Sequence, residues 1–172
     1  DEDTLRGGDG ADELQGDDDD DKLHGNERRD ALFGGRGEDK LVGGDDADRL
    51  QGGAGKDDID GNDGDDVFIS DDDGVRDTYD GGDGIDTIDF SSSSAALTID
   101  LESRADDGSH SQSNAAGNDY ITNVENVIGT AFDDDIHGNN GANILYGGDG
   151  TDDIFGDDGD DIIYGGGDSD LI

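Results

Sequence analysis

Residues 7–15 read Gly7-Gly8-Asp9-Gly10-Ala11-Asp12-Glu13-Leu14-Gln15, and this arrangement returns every nine residues. The first position of the unit reads Gly7, Gly16, Gly25, Gly34, Gly43, Gly52 and Gly61. The sixth reads Asp3, Asp12, Asp21, Asp30, Asp39, Asp48, Asp57 and Asp66. The eighth reads Leu5, Leu14, Leu23, Leu32, Leu41, Leu50, Ile59 and Phe68, without a miss. Fixed-period self-similarity of this kind signals a stacked repeat architecture. A helix is excluded, because glycine at this density costs about 1 kcal/mol per residue in a helix interior. Apolar residues nine apart also make no helical stripe and no coiled-coil seam.

The letters of one unit define its local chemistry. Glycines at positions one, two and four permit φ > 0, so a tight turn that exposes its carbonyls is expected there. The sixth-position carboxylate adds a hard oxygen beside them. The last three residues read as a short strand, with the eighth side chain inward and its neighbours outward. One apolar residue per nine buries nothing alone; stacked coils bury a continuous ladder.

Beyond residue 69 the phase breaks. One unit stands alone at Gly81-Gly82-Asp83-Gly84-Ile85-Asp86-Thr87-Ile88-Asp89. The register returns at Gly129 and continues through Gly138, Gly147, Gly156 and Gly165. Sixth positions there are Asp134, Asn143, Asp152, Asp161 and Asp170, and eighth positions are Ile136, Leu145, Ile154, Ile163 and Ile172. Three segments follow: a first array over 1–69, a linker over 70–128 that holds the 81–89 unit and a strand-and-loop insert, and a second array over 129–172. Within the insert Ser91–Ser94 is a polar loop and Ala96–Leu101 alternates as a half-buried strand. Residues 108–117 are Ser/Asn/Ala-rich and read as a mobile loop, and Tyr120–Ile128 leads back into the second array. One continuous elongated body is favoured over separate domains.

Composition narrows the function. There are 10 Lys+Arg against 50 Asp+Glu, a formal net charge of −40, with 28% hydrophobic residues. Taken alone, such a balance fits an acidic disordered chain. The spacing of 32 glycines and the absence of proline argue against that. A compact state with this charge repels itself, so multivalent cations with oxygen ligands are the natural partners. Nucleic acid is excluded as a partner, since residues 105–172 carry no Lys or Arg. No run is apolar enough to span a bilayer as a helix, no signal peptide is visible, and without cysteine there is no disulfide framework or thiolate metal site. The chain begins and ends within a repeat, which reads as a fragment of a longer protein. Catalysis has little support: there is no H-E-x-x-H and no G-x-S-x-G, and His24, His110 and His137 stand apart from any nucleophile pattern. His24 and His137 fall at outward ninth positions and read as surface residues.

The units resemble the repeats-in-toxin (RTX) nonapeptide G-G-x-G-x-D-x-U-x, in which U is a large apolar residue. The resemblance implies a right-handed parallel β-roll, an all-β solenoid with two nonapeptides per coil, here interrupted by the short non-repeat insert. It implies several calcium ions, each between turns stacked 18 residues apart, such as Gly7–Asp12 with Gly25–Asp30 or Gly129–Asp134 with Gly147–Asp152. It implies side-chain ligands at Asp3, Asp12, Asp21, Asp30, Asp39, Asp48, Asp57, Asp66, Asp86, Asp134, Asn143, Asp152, Asp161 and Asp170. Backbone carbonyls are implied from Gly8, Gly10, Gly35, Gly37, Gly53, Gly55, Asn62, Gly64, Gly82, Gly84, Gly148, Gly150, Asp157 and Gly159. Its partners would then be calcium and the rest of a larger secreted bacterial polypeptide, for which it serves calcium-driven folding and export. The alternative is an adhesive or substrate-engaging segment of an extracellular enzyme or adhesin.

Some units depart from the pattern. Arg28 stands at the fourth position of Gly25–Asp30, where φ > 0 is expected, and Asn143 replaces a carboxylate with an amide. Sites built on these two turns are expected to be the weakest. Outward positions of the first array are mostly polar, as at Glu13, Gln15, Lys22, His24, Arg49 and Gln51. In the second array Ile144, Tyr146, Ile162 and Tyr164 are expected outward on one sheet, with Asp135, His137, Asp153 and Phe155 outward on the other. An apolar outer face needs a cover. The 90–128 insert or further sequence is the expected one; a docking surface for a partner domain or a carbohydrate is the other.

Overall fold

In the computed structural model, residues 1–71, 73–101 and 119–172 are described. The 108–117 loop and His110 lie outside them. The strands are β1 (Thr4–Gly8), β2 (Glu13–Asp18), β3 (Lys22–Glu27), β4 (Ala31–Arg36), β5 (Lys40–Asp45) and β6 (Arg49–Ala54). Then come β7 (Asp58–Asp63), β8 (Val67–Ile69), β9 (Thr78–Asp83), β10 (Thr87–Asp89), β11 (Thr98–Asp100) and β12 (Tyr120–Thr122). The last are β13 (Asn126–Ile128), β14 (Asp135–His137), β15 (Ile144–Gly148), β16 (Asp153–Phe155) and β17 (Ile162–Gly166). Among the described residues there is no helix.

Successive strands alternate between two faces of a parallel β-solenoid. One face is an eight-stranded sheet in the order β17-β15-β13-β10-β8-β6-β4-β2. The other is a six-stranded sheet, β1-β3-β5-β7-β9-β12, followed by a three-stranded sheet, β11-β14-β16. Leu14 pairs with Leu32 and Leu32 with Leu50, so one coil is two nonapeptides. Every pairing described is parallel, as the expected β-roll requires.

The unit that stands alone in the sequence does not stand alone in space. Ile59 pairs with Tyr79, and Phe68 with Ile88, so the phase break is a two-residue insertion that the coil absorbs. Ile88 then pairs with Val127 and Val127 with Leu145, which carries the eight-stranded sheet through the insert into the second array. The half-buried strand expected at Ala96–Leu101 is β11; Leu97 and Ile99 are buried. It adds a rung beside β14, Ile99 against Ile136, that has no counterpart on the opposite face among the described residues.

The core is the eighth-position ladder. Leu23, Leu32, Leu41, Leu50, Ile59, Phe68, Ile88, Ile136, Leu145 and Ile154 are fully buried in it. Burying one such side chain is worth about 1.5–3 kcal/mol. Tyr79 takes an eighth position as well, and its ring meets Phe68 edge-to-face at 5.8 Å.

Candidate metal centre

The turns between strands carry the polar chemistry. In the regular turn the second residue has φ > 0, whether glycine (Gly8, Gly35, Gly44, Gly53, Gly82, Gly148) or not (Asp17, Asn26, Asn62, Asp157). Among fourth positions Gly37, Gly55, Gly64, Gly150 and Gly159 share that region, whereas Gly10 and Gly84 do not. Asp, Asn and Gly tolerate this backbone at low cost. Arg28 adopts it too, at φ 76°, as its position implies. The first-position glycines do not, which corrects the sequence expectation. They are glycine because of close approach: a Cβ on Gly7 would lie 2.8 Å from both Asp12 Oδ2 and the Gly25 carbonyl oxygen.

That crowding describes the site. From Asp21 to Asp86 each sixth-position carboxylate is buried beneath its own turn. Its Oδ1 accepts the backbone N–H of the sixth residue one coil earlier: Asp12 N–H to Asp30, Asp21 to Asp39, Asp30 to Asp48, Asp39 to Asp57, Asp48 to Asp66, all 2.7–2.8 Å. Its Oδ2 has no donor. This holds for the buried Oδ2 atoms of Asp12, Asp21, Asp30, Asp39, Asp48, Asp57, Asp66, Asp86, Asp119 and Asp152. Crowding the same first-position glycine is the first-position carbonyl one coil on: beside Gly16 lie Asp21 Oδ2 and the Gly34 carbonyl, beside Gly25 Asp30 Oδ2 and the Gly43 carbonyl, beside Gly34 Asp39 Oδ2 and the Gly52 carbonyl, and beside Gly147 Asp152 Oδ2 and the Gly165 carbonyl. A buried carboxylate oxygen with no donor is costly. A hard cation removes that cost, since it takes carboxylate and carbonyl oxygens together. Among the described residues no three acidic or histidine side chains converge on one point, so backbone oxygens would complete the coordination.

The electrostatics agree. Burial, opposed by the backbone hydrogen bond and reinforced by neighbouring carboxylates, pushes Asp48 and Asp86 up to about 7 and Asp57 and Asp66 up to about 6. Asp30, Asp39, Asp134 and Asp152 are raised as well, chiefly by burial.

The remaining expected positions vary. Asp3 donates its N–H to Asp21 but is itself exposed on the first rung. Asp161 and Asp170 accept from Asn143 and Asp152 near the last rungs. The carbonyls of Gly35, Gly37, Asn62 and Gly64 each face the glycine one coil on, and that of Gly148 already accepts the Gly167 N–H at 2.7 Å. The Gly25 carbonyl, which crowds Gly7 together with Asp12 Oδ2, accepts from Asn26 Nδ2 at 2.8 Å, so the Arg-bearing turn departs from the pattern twice.

Three acidic residues in sixth positions went unread in the sequence. Asp77 Oδ1 accepts the Asp57 N–H, Asp119 Oδ1 accepts the Asp77 N–H, and Glu125 Oε2 accepts the Asp86 N–H. Burial raises Asp77 to about 8 and Asp119 to about 7. Their signal was the tail of the motif without its head: Asp77-Thr78-Tyr79-Asp80-Gly81 keeps the acid, the apolar eighth residue and the next glycine.

With this geometry in hand, the chain can be set beside known families. The RTX calcium-binding nonapeptide repeat matches in four copies, at residues 1–32, 33–68, 128–163 and 137–172, more than half of the chain. The chain belongs to this family. RTX nonapeptides bind multiple calcium ions, and the row of buried aspartates fits that chemistry. No curated protein matches the chain. The RTX match leaves out residues 69–127, although β9, β10, β11, β12 and most of β13 come from them.

The outer faces follow the expected register. Ile144 pairs with Ile162 and Tyr146 with Tyr164 on one sheet. Tyr146 and Tyr164 are 42% and 50% exposed and stack in parallel at 4.6 Å. Across the solenoid Phe155 stacks on His137 at 4.8 Å.

Proposed function

We propose that this RTX module is a calcium-driven folding segment of a larger exported bacterial protein, and that it is not itself catalytic. The observation that carries this reading is the row of buried carboxylate oxygens, each without a donor and most of them crowding a glycine that a backbone carbonyl of the next coil also crowds. Calcium would be held by Asp12, Asp21, Asp30, Asp39, Asp48, Asp57, Asp66, Asp86 and Asp152, joined by Asp119, together with turn carbonyls. Without the ion the buried charges oppose the fold, so binding energy becomes folding energy. Extracellular-type modules bind calcium at about 10⁻⁴–10⁻³ M. Such a chain would be unfolded where calcium is scarce and folded outside the cell, which suits passage through an export channel. Circular dichroism over a calcium titration tests this: strand signal should grow in with calcium and vanish with chelator. A strand-rich spectrum in excess chelator at neutral pH would end the proposal.

A second reading, an adhesive or substrate-engaging segment, is favoured by the outward Ile162, Tyr146 and Tyr164. Retained binding of a parent enzyme's substrate or of a glycan by wild type, lost in a Tyr146→Ser/Tyr164→Ser variant with unchanged strand signal, would support it.

A further inference from the structure

Two turns of the second array do not share the regular geometry. In Gly129–Asp134 the second residue is Thr130, and in Gly138–Asn143 it is Asn139; neither has φ > 0. A β-branched threonine resists that region. The consequence is a reversed peptide. The Thr130 N–H donates to Asp134 Oδ2 at 2.7 Å, and its Oγ1 donates to Asp134 Oδ1 at 3.0 Å. Asp134 Oδ1 also accepts the Leu97 N–H at 2.8 Å. Asp134 is therefore buried yet has partners on both oxygens, unlike the buried aspartates of the regular turns.

The next turn does the same with other atoms. The Asn139 N–H donates to Asn143 Oδ1 at 2.9 Å. Asn143 Nδ2 donates to the Glu125 carbonyl at 2.7 Å and to Asn139 Oδ1 at 3.2 Å. Asn139 Nδ2 reaches the Val124 carbonyl at 3.2 Å. An amide here brings its own protons to oxygens that elsewhere have none.

We propose that turns 129–134 and 138–143 are closed by hydrogen bonds where the regular turns take calcium, so that they form a calcium-free joint between two calcium-loaded stretches of the roll. This rests on the calcium reading above and departs from the family pattern, which places a ligand at every sixth position. The joint lies where a departure from the repeat has to be absorbed. β11 adds its rung against β14 there, and the paired core residues Ile121 and Val127 are six residues apart where the repeat spaces them by nine. A turn held by its own donors keeps the stack in register where the 18-residue spacing fails.

The test is a count of calcium per chain by native mass spectrometry at saturating calcium, on the full chain, with the midpoint of the strand signal as second readout. Asp134→Asn turns an amide donor onto one of the donors that Asp134 accepts from, so it should raise the midpoint but leave the count unchanged, whereas Asp152→Asn should lose at least one ion as well as raise the midpoint. The double variant Asn139→Gly/Asn143→Asp restores a permissive second residue and a carboxylate, and it should gain one ion. A loss of calcium in Asp134→Asn equal to that in Asp152→Asn overturns the joint. If Asp134→Asn fails to fold, the double variant decides: an unchanged count overturns the proposal. A wild-type chain that folds without binding calcium overturns the calcium reading itself.

Discussion

The turns of residues 7–86 and those of residues 123–143 share a fold and part of a motif, but they solve one electrostatic problem in opposite ways. In the first stretch, turns with φ > 0 at the second residue leave the buried sixth-position Oδ2 without a donor, as at Asp12, Asp21, Asp30, Asp39, Asp48, Asp57, Asp66 and Asp86. In the second, an ordinary φ at Thr130 and Asn139 turns an N–H onto the same oxygen. Gly129-Thr130-Ala131-Phe132-Asp133-Asp134 matches the repeat at its first and sixth positions and would pass as a ligand turn. The difference teaches that the second residue, not the aspartate, decides whether a turn is left short of positive charge.

Removing calcium should have the largest effect. At neutral pH chelator is expected to abolish the strand signal. During partial chelation, hydrogen exchange at the Asp21, Asp39 and Asp57 amides, which bond to carboxylates one coil on, should accelerate before that at Thr130 and Asn139. Simultaneous release of all these amides would break the distinction between the two stretches.

A core change acts on both through the ladder. Leu41→Ala empties a fully buried position and is expected to cost about 2–5 kcal/mol. Because folding and binding are coupled, it should raise the calcium midpoint without touching a ligand. An unchanged midpoint would show that the ladder and the metal sites are independent.

Single ligands should rank by turn. Asp39→Ala is expected to raise the midpoint more than Asp30→Ala, because Asp30 sits in the turn with Arg28 at φ 76° and with Asn26 bound to the Gly25 carbonyl. Titrations that rank Asp30→Ala as the worse variant would overturn that order.

Acid should partly replace calcium. The folded, calcium-free carboxylates are raised by burial, to about 6 for Asp57 and Asp66, about 7 for Asp48, Asp86 and Asp119, and about 8 for Asp77. An unfolded aspartate titrates near its ordinary 3.8. The folded state therefore binds more protons than the unfolded state between these values. Its calcium-free stability is fully present below pH 3.8 and is lost as pH rises through 6 to 8. In chelator, strand signal should thus reappear as pH falls, with a midpoint near 6–7. A midpoint near 4 would mean only that exposed carboxylates and net charge are responsible.

The smallest effect expected is at Arg28. Arg28→Gly relieves a left-handed backbone on a long side chain and should stabilise the calcium-bound fold by about 1–2 kcal/mol. Chemical denaturation in saturating calcium checks this.

By itself the sequence determined the period, the inward ladder and the acidic row, because each depends on spacing alone; the parallel stack is what the resemblance to the RTX repeat implied. Leu14, Leu32 and Leu50 come into line because their turns have equal length, and no long-range information is needed. Even the outward stripe of Tyr146 and Tyr164 follows from alternation along a strand. Tertiary structure decided what spacing does not encode. It made Asp77, Asp119 and Glu125 sixth-position residues, since only pairing across a 20-residue or longer step places their oxygens on the preceding coil. It also separated Asp134 and Asn143 from their look-alikes, because the direction of one peptide N–H depends on a backbone torsion that the aspartate pattern does not contain.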